Sequence, residues 1–151
     1  MRVLVDKIMV AYDGSEHSRK AFQWALALQK MEGSVSTVDV VMVMPALSMP
    51  QVFQDEKKVM AAIEKQKETM EREMAKLVET EDNQQITTHI LESNTFGSGT
   101  IAQILLKYAV KNGVGVIVTG TRGLGGFEGL LLGSVASQLV TYADVPVFVV
   151  K

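Results

Sequence analysis

The sequence predicts an α/β protein in which a parallel β-sheet carries helices on both faces. Two observations lead there. Short apolar, β-branched runs alternate along the chain with segments whose apolar residues recur at helical spacing. The runs are apolar at consecutive positions, as strands covered on both sides must be, and right-handed crossovers between parallel strands would supply that cover. In such sheets a ligand sits beyond the carboxyl ends of the strands, where the strand order reverses.

The elements follow in order. Residues 8–12 form a first strand that ends in Asp13-Gly14-Ser15, a natural turn into a helix. Ala21, Phe22, Ala25 and Leu28 mark the inner face of that helix, residues 19–31, which stops at Glu32-Gly33-Ser34. A second strand at 35–43 is followed by a loop containing Pro45 and Pro50, which neither helix nor central strand tolerates. From about 54 to 80, Val59, Ile63, Met70, Met74 and Leu77 line one face of a long amphipathic helix whose other face is charged and solvated. Residues 86–91 read as a third strand. Residues 100–112 read as a helix with Ile101, Leu105 and Tyr108 inward, ended by Gly113. Residues 114–119 make a fourth strand, 133–143 a fourth helix, and 146–150 a fifth strand.

The 151 residues suffice for one continuous core and are too few for two, so a single domain over 1–151 is expected. A hydrophobic fraction of 47% with 21% charged residues belongs to a folded chain, not a disordered one. A net charge of -2, with Lys and Arg scattered, leaves no surplus to neutralise a row of phosphates, which argues against a nucleic-acid partner. Without cysteine there is no disulfide framework and no thiolate metal site. The opening apolar run is broken by Asp6 and Lys7, and no segment reaches membrane-spanning length. A cytoplasmic protein without membrane contact is therefore expected.

One loop stands apart, running Gly120-Thr121-Arg122-Gly123-Leu124-Gly125-Gly126-Phe127-Glu128-Gly129 and on through Leu130-Leu131-Leu132 to Gly133-Ser134. It leaves a strand and feeds a helix. Glycines let backbone approach an anion closely, and the first amides of the following helix favour phosphate. Ser134 can add a hydroxyl. The plainer alternative is a long turn with Ser134 as helix cap. The loop's position at the ligand edge, and its length where two residues would connect the elements, favour phosphate. No Gly-Lys-Ser/Thr closes it, so it is not a P-loop, and a dinucleotide fingerprint would follow the first strand, with an acidic residue ending a second strand that here ends in Met44-Pro45.

The spacing Gly120-x2-Gly123-x9-Gly133-Ser134 resembles the G-x2-G-x9-G-[ST] signature of ATP-binding universal stress proteins. IMVAYDGS at 8–15, LLLGSVAS around Ser134, and Val145-Pro146-Val147-Phe148-Val149-Val150 at the end extend the likeness over the whole chain. The resemblance implies a Rossmann-like, adenine nucleotide alpha hydrolase-like fold: a five-stranded parallel sheet in order 3-2-1-4-5, switching between strands one and four. It further implies that Asp13 sits near the ribose and the phosphate-bound metal, and that Ala11 lines the pocket. The Val43 backbone would meet adenine, and the amides of Gly133, Ser134 and Val135 would hold phosphates. The implied ligands are ATP, or ADP or AMP, with Mg²⁺ arriving on the phosphates and Asp13 as its one potential protein ligand.

Plainer readings stand beside several of these. Asp13 before Gly-Ser is a common capping carboxylate, and the two roles are compatible. Val43 reads equally well as a core valine, and Arg122 as a phosphate partner or a solvated loop charge. His17 reads as a surface residue; His17 and His89 have no local metal-ligand pattern, and Ser15 lacks the second glycine of a nucleophile elbow.

The expected function is an ATP-binding stress-response regulator with slow or no hydrolysis, since the loop offers at most Arg122 and a metal against the γ-phosphate. An alternative is a dimeric interaction scaffold with a vestigial pocket. A nucleotide-dependent enzyme would need acid-base groups on the loops at 45–53 or 92–99, where Glu92 is the one candidate. In the implied order, residues 147–150 form an apolar edge guarded by little besides Pro146 and Lys151, so a homodimer through that strand is expected, as in the family.

Overall fold

The computed structural model describes residues 5–31, 33, 36–45, 55–82, 85–93, 99–122 and 132–151. Its elements alternate without exception: β1 (Lys7–Ala11), α1 (Glu16–Met31), β2 (Thr37–Met44), α2 (Glu56–Val78), β3 (Ile86–Glu92), α3 (Ile101–Lys111), β4 (Val116–Gly120), α4 (Ser134–Tyr142) and β5 (Val147–Val150). The five strands pair in parallel in the order β3-β2-β1-β4-β5, as the resemblance implied.

The strand period of two divides the core into two layers. Ile8 and Val10 of β1 with Val38, Val40 and Met42 of β2 pack under α1 and α2, where Phe22, Ala25, Met70 and Met74 meet them. Met9 and Val41 point the other way, to Ala102, Leu105 and Ala109 of α3 and Leu139 of α4. Consecutive apolar residues in β1 and β2 are thus required by burial on both faces.

Several boundaries differ from the sequence reading, each for a local reason. α1 begins at Glu16, three residues before the apolar periodicity shows, because the Ser15 hydroxyl accepts from the Ser18 amide at 3.2 Å and caps the helix. β4 begins at Val116, not 114, since the ladder with β1 starts at Ile8↔Val116. α2 buries only Met70 and Met74. At 1.5 Å per residue its 23 residues run about 34 Å, more than the roughly 26 Å of the eight-residue β2, so the helix outruns the sheet. Val59 is half-buried and Ile63 already packs against the core, so the apolar stripe expected from 59 onward does face it, but full burial comes only at Met70 and Met74.

Asp39 is a buried carboxylate on β2, 2% exposed, that sequence reading passed over. Its Oδ1 accepts from the Thr87 hydroxyl at 2.7 Å and its Oδ2 from Tyr108 at 3.0 Å, while Lys7 Nζ lies 3.6 Å away. His89 completes the cluster, with Nε2 3.2 Å from the Thr87 hydroxyl and its ring tilted against Tyr108. Burial, and then the Asp39 carboxylate, push the Tyr108 hydroxyl above the ordinary tyrosine range. The cluster joins β1, β2, β3 and α3 on the α3 face of the sheet. Tyr108→Phe leaves the ring and removes one hydrogen bond to a buried charge, a loss of about 1.5–3 kcal/mol. Urea unfolding at unchanged slope should register it, and a midpoint equal to the parent's would mean that Lys7 and Thr87 satisfy Asp39 alone.

Candidate functional site

The geometry of the site begins with the direction in which the chain leaves the sheet. Ala11 pairs with Thr119, so the segments that follow β1 and β4 emerge side by side at the carboxyl edge. After β1 the chain turns to α1 on one face; after β4 it goes on to α4 on the other. The crossovers diverge between these two strands, which opens the crevice where α/β sheets bind ligands. Ala11 ends β1, half-buried, on the α3 and α4 face. Val43 is half-buried on the same face, next strand over, two residues beyond the Val41 that pairs with Ala11.

The turn after β1 is tightly specified. Asp13 Oδ1 accepts from the Ser15 amide at 2.9 Å, and Gly14 takes φ 84, a left-handed conformation that L side chains rarely adopt. Asp13 therefore shapes the turn, while Ser15 is the residue that caps α1. Just before it, Tyr12 donates its hydroxyl to Glu73 Oε1 at 3.0 Å, and the same oxygen accepts from Arg19 Nη2 at 2.8 Å. Burial, then Glu73, push the Tyr12 hydroxyl up from its ordinary 10.0 to about 12. Arg19, then Tyr12, hold the Glu73 carboxyl below the usual carboxylate range. Both shifts favour the hydrogen bond in which tyrosine donates and carboxylate accepts.

On the other side, Gly120 ends β4 and Arg122, half-buried, stands two residues beyond. Thr121 is buried; its amide donates to the Val150 carbonyl at 2.8 Å and its carbonyl accepts from the Gly133 amide at 2.6 Å. That bond joins the two ends of the glycine-rich loop. It also means that the Gly133 amide, expected to face phosphate, is spent on Thr121. Gly133 occupies the N-cap position of α4 with no side chain capping it, so Ser134 is the first helical residue and not its cap. Ser134 and Val135 stand where helical geometry provides no acceptor for the amide. Gly123 lies outside the described residues.

Gly120 has a packing reason of its own. A Cβ built there would lie 2.7 Å from His17 Cβ and 2.9 Å from the His17 carbonyl carbon. α1 crosses the end of β4 too closely for any side chain, and His17, expected at the surface, is half-buried by the same contact. Glu92 ends the edge strand β3, two strands from β1, with Lys67 Nζ 3.8 Å from its Oε1. It does not join the other candidates.

A family model described as the universal stress protein family matches residues 5–151. The chain belongs to the universal stress protein family. A universal stress protein of Methanocaldococcus jannaschii is 31% identical over 149 residues, covering 98% of this chain and 83% of the relative. Among solved structures, UspA from Lactobacillus plantarum superposes with a TM-score of 0.77 at 19% identity, covering 99% of this chain and all (100%) of the other. The universal stress protein of Archaeoglobus fulgidus in complex with dAMP gives 0.62 at 20% identity, covering 99% and 100%. At these identities the structures speak for the fold, which is the Rossmann-like, adenine nucleotide alpha hydrolase-like arrangement of the family.

Glu73 and Arg19 are the site neighbours that sequence reading missed. Tyr12 and Glu73 are 61 residues apart, and a glutamate on a charged helix face carries no local mark. The packing at Gly120 makes a separate claim: Gly120→Ala should lower stability by about 1–3 kcal/mol through overpacking, with no nucleotide present. A urea midpoint unchanged from the parent would show that α1 can move away from β4.

Proposed function

We propose that this universal stress protein is an ATP-binding stress-response regulator, with nucleotide seated across the carboxyl edge between β1 and β4. The observation that carries the reading is the pairing of two unlike features over one crevice: the Asp13 turn on one side and the side-chain-free start of α4 on the other. The amides of Ser134 and Val135, with the positive end of the helix, suit phosphate oxygens. Arg122 adds a cation, Ala11 a small wall, and the Val43 backbone a strand edge for the base. Gly120 and Gly133 let the chain pass close on either side, and Gly123 falls between them in the loop. The dAMP bound by the Archaeoglobus relative supports an adenine nucleotide as the class of ligand. Mg²⁺ would neutralise phosphate charge, and the Asp13 carboxylate is the hard oxygen donor that suits it.

Hydrolysis is slow or incidental in this reading. Fast phosphoryl transfer needs a placed base and strong positive charge at the γ-phosphate. Among the described residues the crevice has Asp13, already bonded to the Ser15 amide, and Arg122. ATP with Mg²⁺ at about a hundred times its dissociation constant should stabilise the protein by roughly 2.7 kcal/mol and raise Tm. NAD should not, and Gly133→Val should abolish the ATP shift. No shift with ATP, together with no nucleotide retained on dialysis, would rule the reading out.

The scaffold reading has one observation in its favour, at β5. Among the described strands β4 is the only neighbour of β5. Within β5 Phe148, 39% exposed, sets its ring centroid 5.7 Å from that of Trp24, 49% exposed, the two rings tilted against each other. Apolar rings at an open strand edge suit a second copy of the chain, paired antiparallel across a two-fold axis. The carbonyls of Pro146 and Val150 face β4, so by ladder alternation the Val147 and Val149 amides turn outward. Val149→Pro should therefore remove a donor from the dimer ladder, spare the β4 pairing, and shift sedimentation toward monomer. A parent protein that sediments as a monomer at micromolar concentration would refute the edge pairing.

A further inference from the structure

We propose that Glu73 of α2 is a positioning residue for the nucleotide site, holding from outside the sheet the turn that carries Asp13. The inference rests on the nucleotide-binding reading above. Toward the sheet and α1 that turn is anchored by the Tyr12 amide, which donates to the Val41 carbonyl at 3.0 Å, by the Asp13 amide, which donates to the Ser18 hydroxyl at 3.4 Å, and by Ser15, locked into the first turn of α1 by the Ser18 amide and hydroxyl. None of these bonds reaches the outer side of Tyr12 and Gly14. Glu73 covers it. A Cβ at Gly14 would lie 3.8 Å from both Cγ and Oε1 of Glu73, so the side chain lies along the turn. Its Oε1 gathers the Tyr12 hydroxyl and the Arg19 guanidinium, one from the start of the turn and the other from α1 beyond it.

The exposed Arg19 arm contributes little by itself, since a surface ion pair is weak. Tyr12 is 3% exposed, and its hydroxyl is the arm that orients the carboxylate. The helix bearing Glu73 is fixed there by the buried Met70 and Met74, one turn before and one residue after. α2 therefore clasps the turn from its second half, where its fully buried residues lie. Ligand that needs the turn ordered and a helix that orders it are coupled through these two hydrogen bonds, and such coupling is reciprocal.

The test is isothermal titration of ATP with Mg²⁺ into the parent, Glu73→Ala, Glu73→Gln, Tyr12→Phe and the Glu73→Ala/Tyr12→Phe double variant, with melting curves on each. Glu73→Ala and Tyr12→Phe should each raise Kd about 5- to 10-fold, the loss of one orienting hydrogen bond. The double variant should be no worse than the single ones, since both changes break the same link. Glu73→Gln keeps an acceptor oxygen and should stay within about 2-fold of the parent. Tyr12→Phe keeps the buried ring, so it serves if Glu73→Ala fails to fold. Parent-like Kd in Tyr12→Phe with a lowered melting temperature would assign the clasp to stability and overturn the inference, leaving nucleotide binding intact. Additive losses in the double variant would overturn it as well. A parent that binds no ATP would instead overturn the functional reading, and this inference with it.

Discussion

β1 is buried on both faces: Ile8, Met9 and Val10 are each at most 1% exposed, and they point alternately to opposite layers. A parallel strand in that position needs helices above and below it. The chain supplies them by running outward from β1 through β2 and β3, then returning through α3 to β4 and running outward again. The reversal leaves a crevice at one end of β1 as a geometric by-product of covering it. The proposed ligand site is thus a consequence of core burial, and the residues around it refine an opening that the topology makes.

Refinement takes different forms on the two sides. Beside β1, side chains specify the turn: Asp13 bonds to Ser15, and Tyr12 is reached by Glu73 from α2. Beside β4, their lack does so. Gly120 leaves room for the backbone of α1 at His17, and Gly133 begins α4 without a side-chain cap. Glycine at position 120 is thus required by packing whatever ligand the loop holds. The hydrogen bond from the Gly133 amide to the Thr121 carbonyl belongs here too, since it ties the start of α4 to the end of β4 with an amide that the sequence reading gave to phosphate.

Polar burial away from the crevice follows a parallel logic. Asp39 is tolerated at 2% exposure because Thr87, Tyr108 and Lys7 reach it from β3, α3 and β1. A buried charge without partners would be strongly destabilising, so the cluster selects one register of β3 against β2. The partly solvated β3 needs that help, because its Thr87 and Thr88 are exposed and its apolar grip on the core is slight.

Read alone, the sequence determined the alternation of elements, the apolar faces of β1, β2 and α1, and the loop signature from Gly120 to Ser134. These are local or periodic properties, set by residues within a turn or a few turns of one another. The strand order came through resemblance, since alternation by itself is compatible with other orders. What only the tertiary structure decided depends on residues far apart in the chain. Asp39 meets Tyr108 across 69 positions and Tyr12 meets Glu73 across 61, and neither pair leaves a periodic trace. The steric demand at Gly120 belongs to the same class: its cause is the backbone of α1 more than a hundred residues earlier, brought against β4 because α1 covers the face on which β1 and β4 lie side by side.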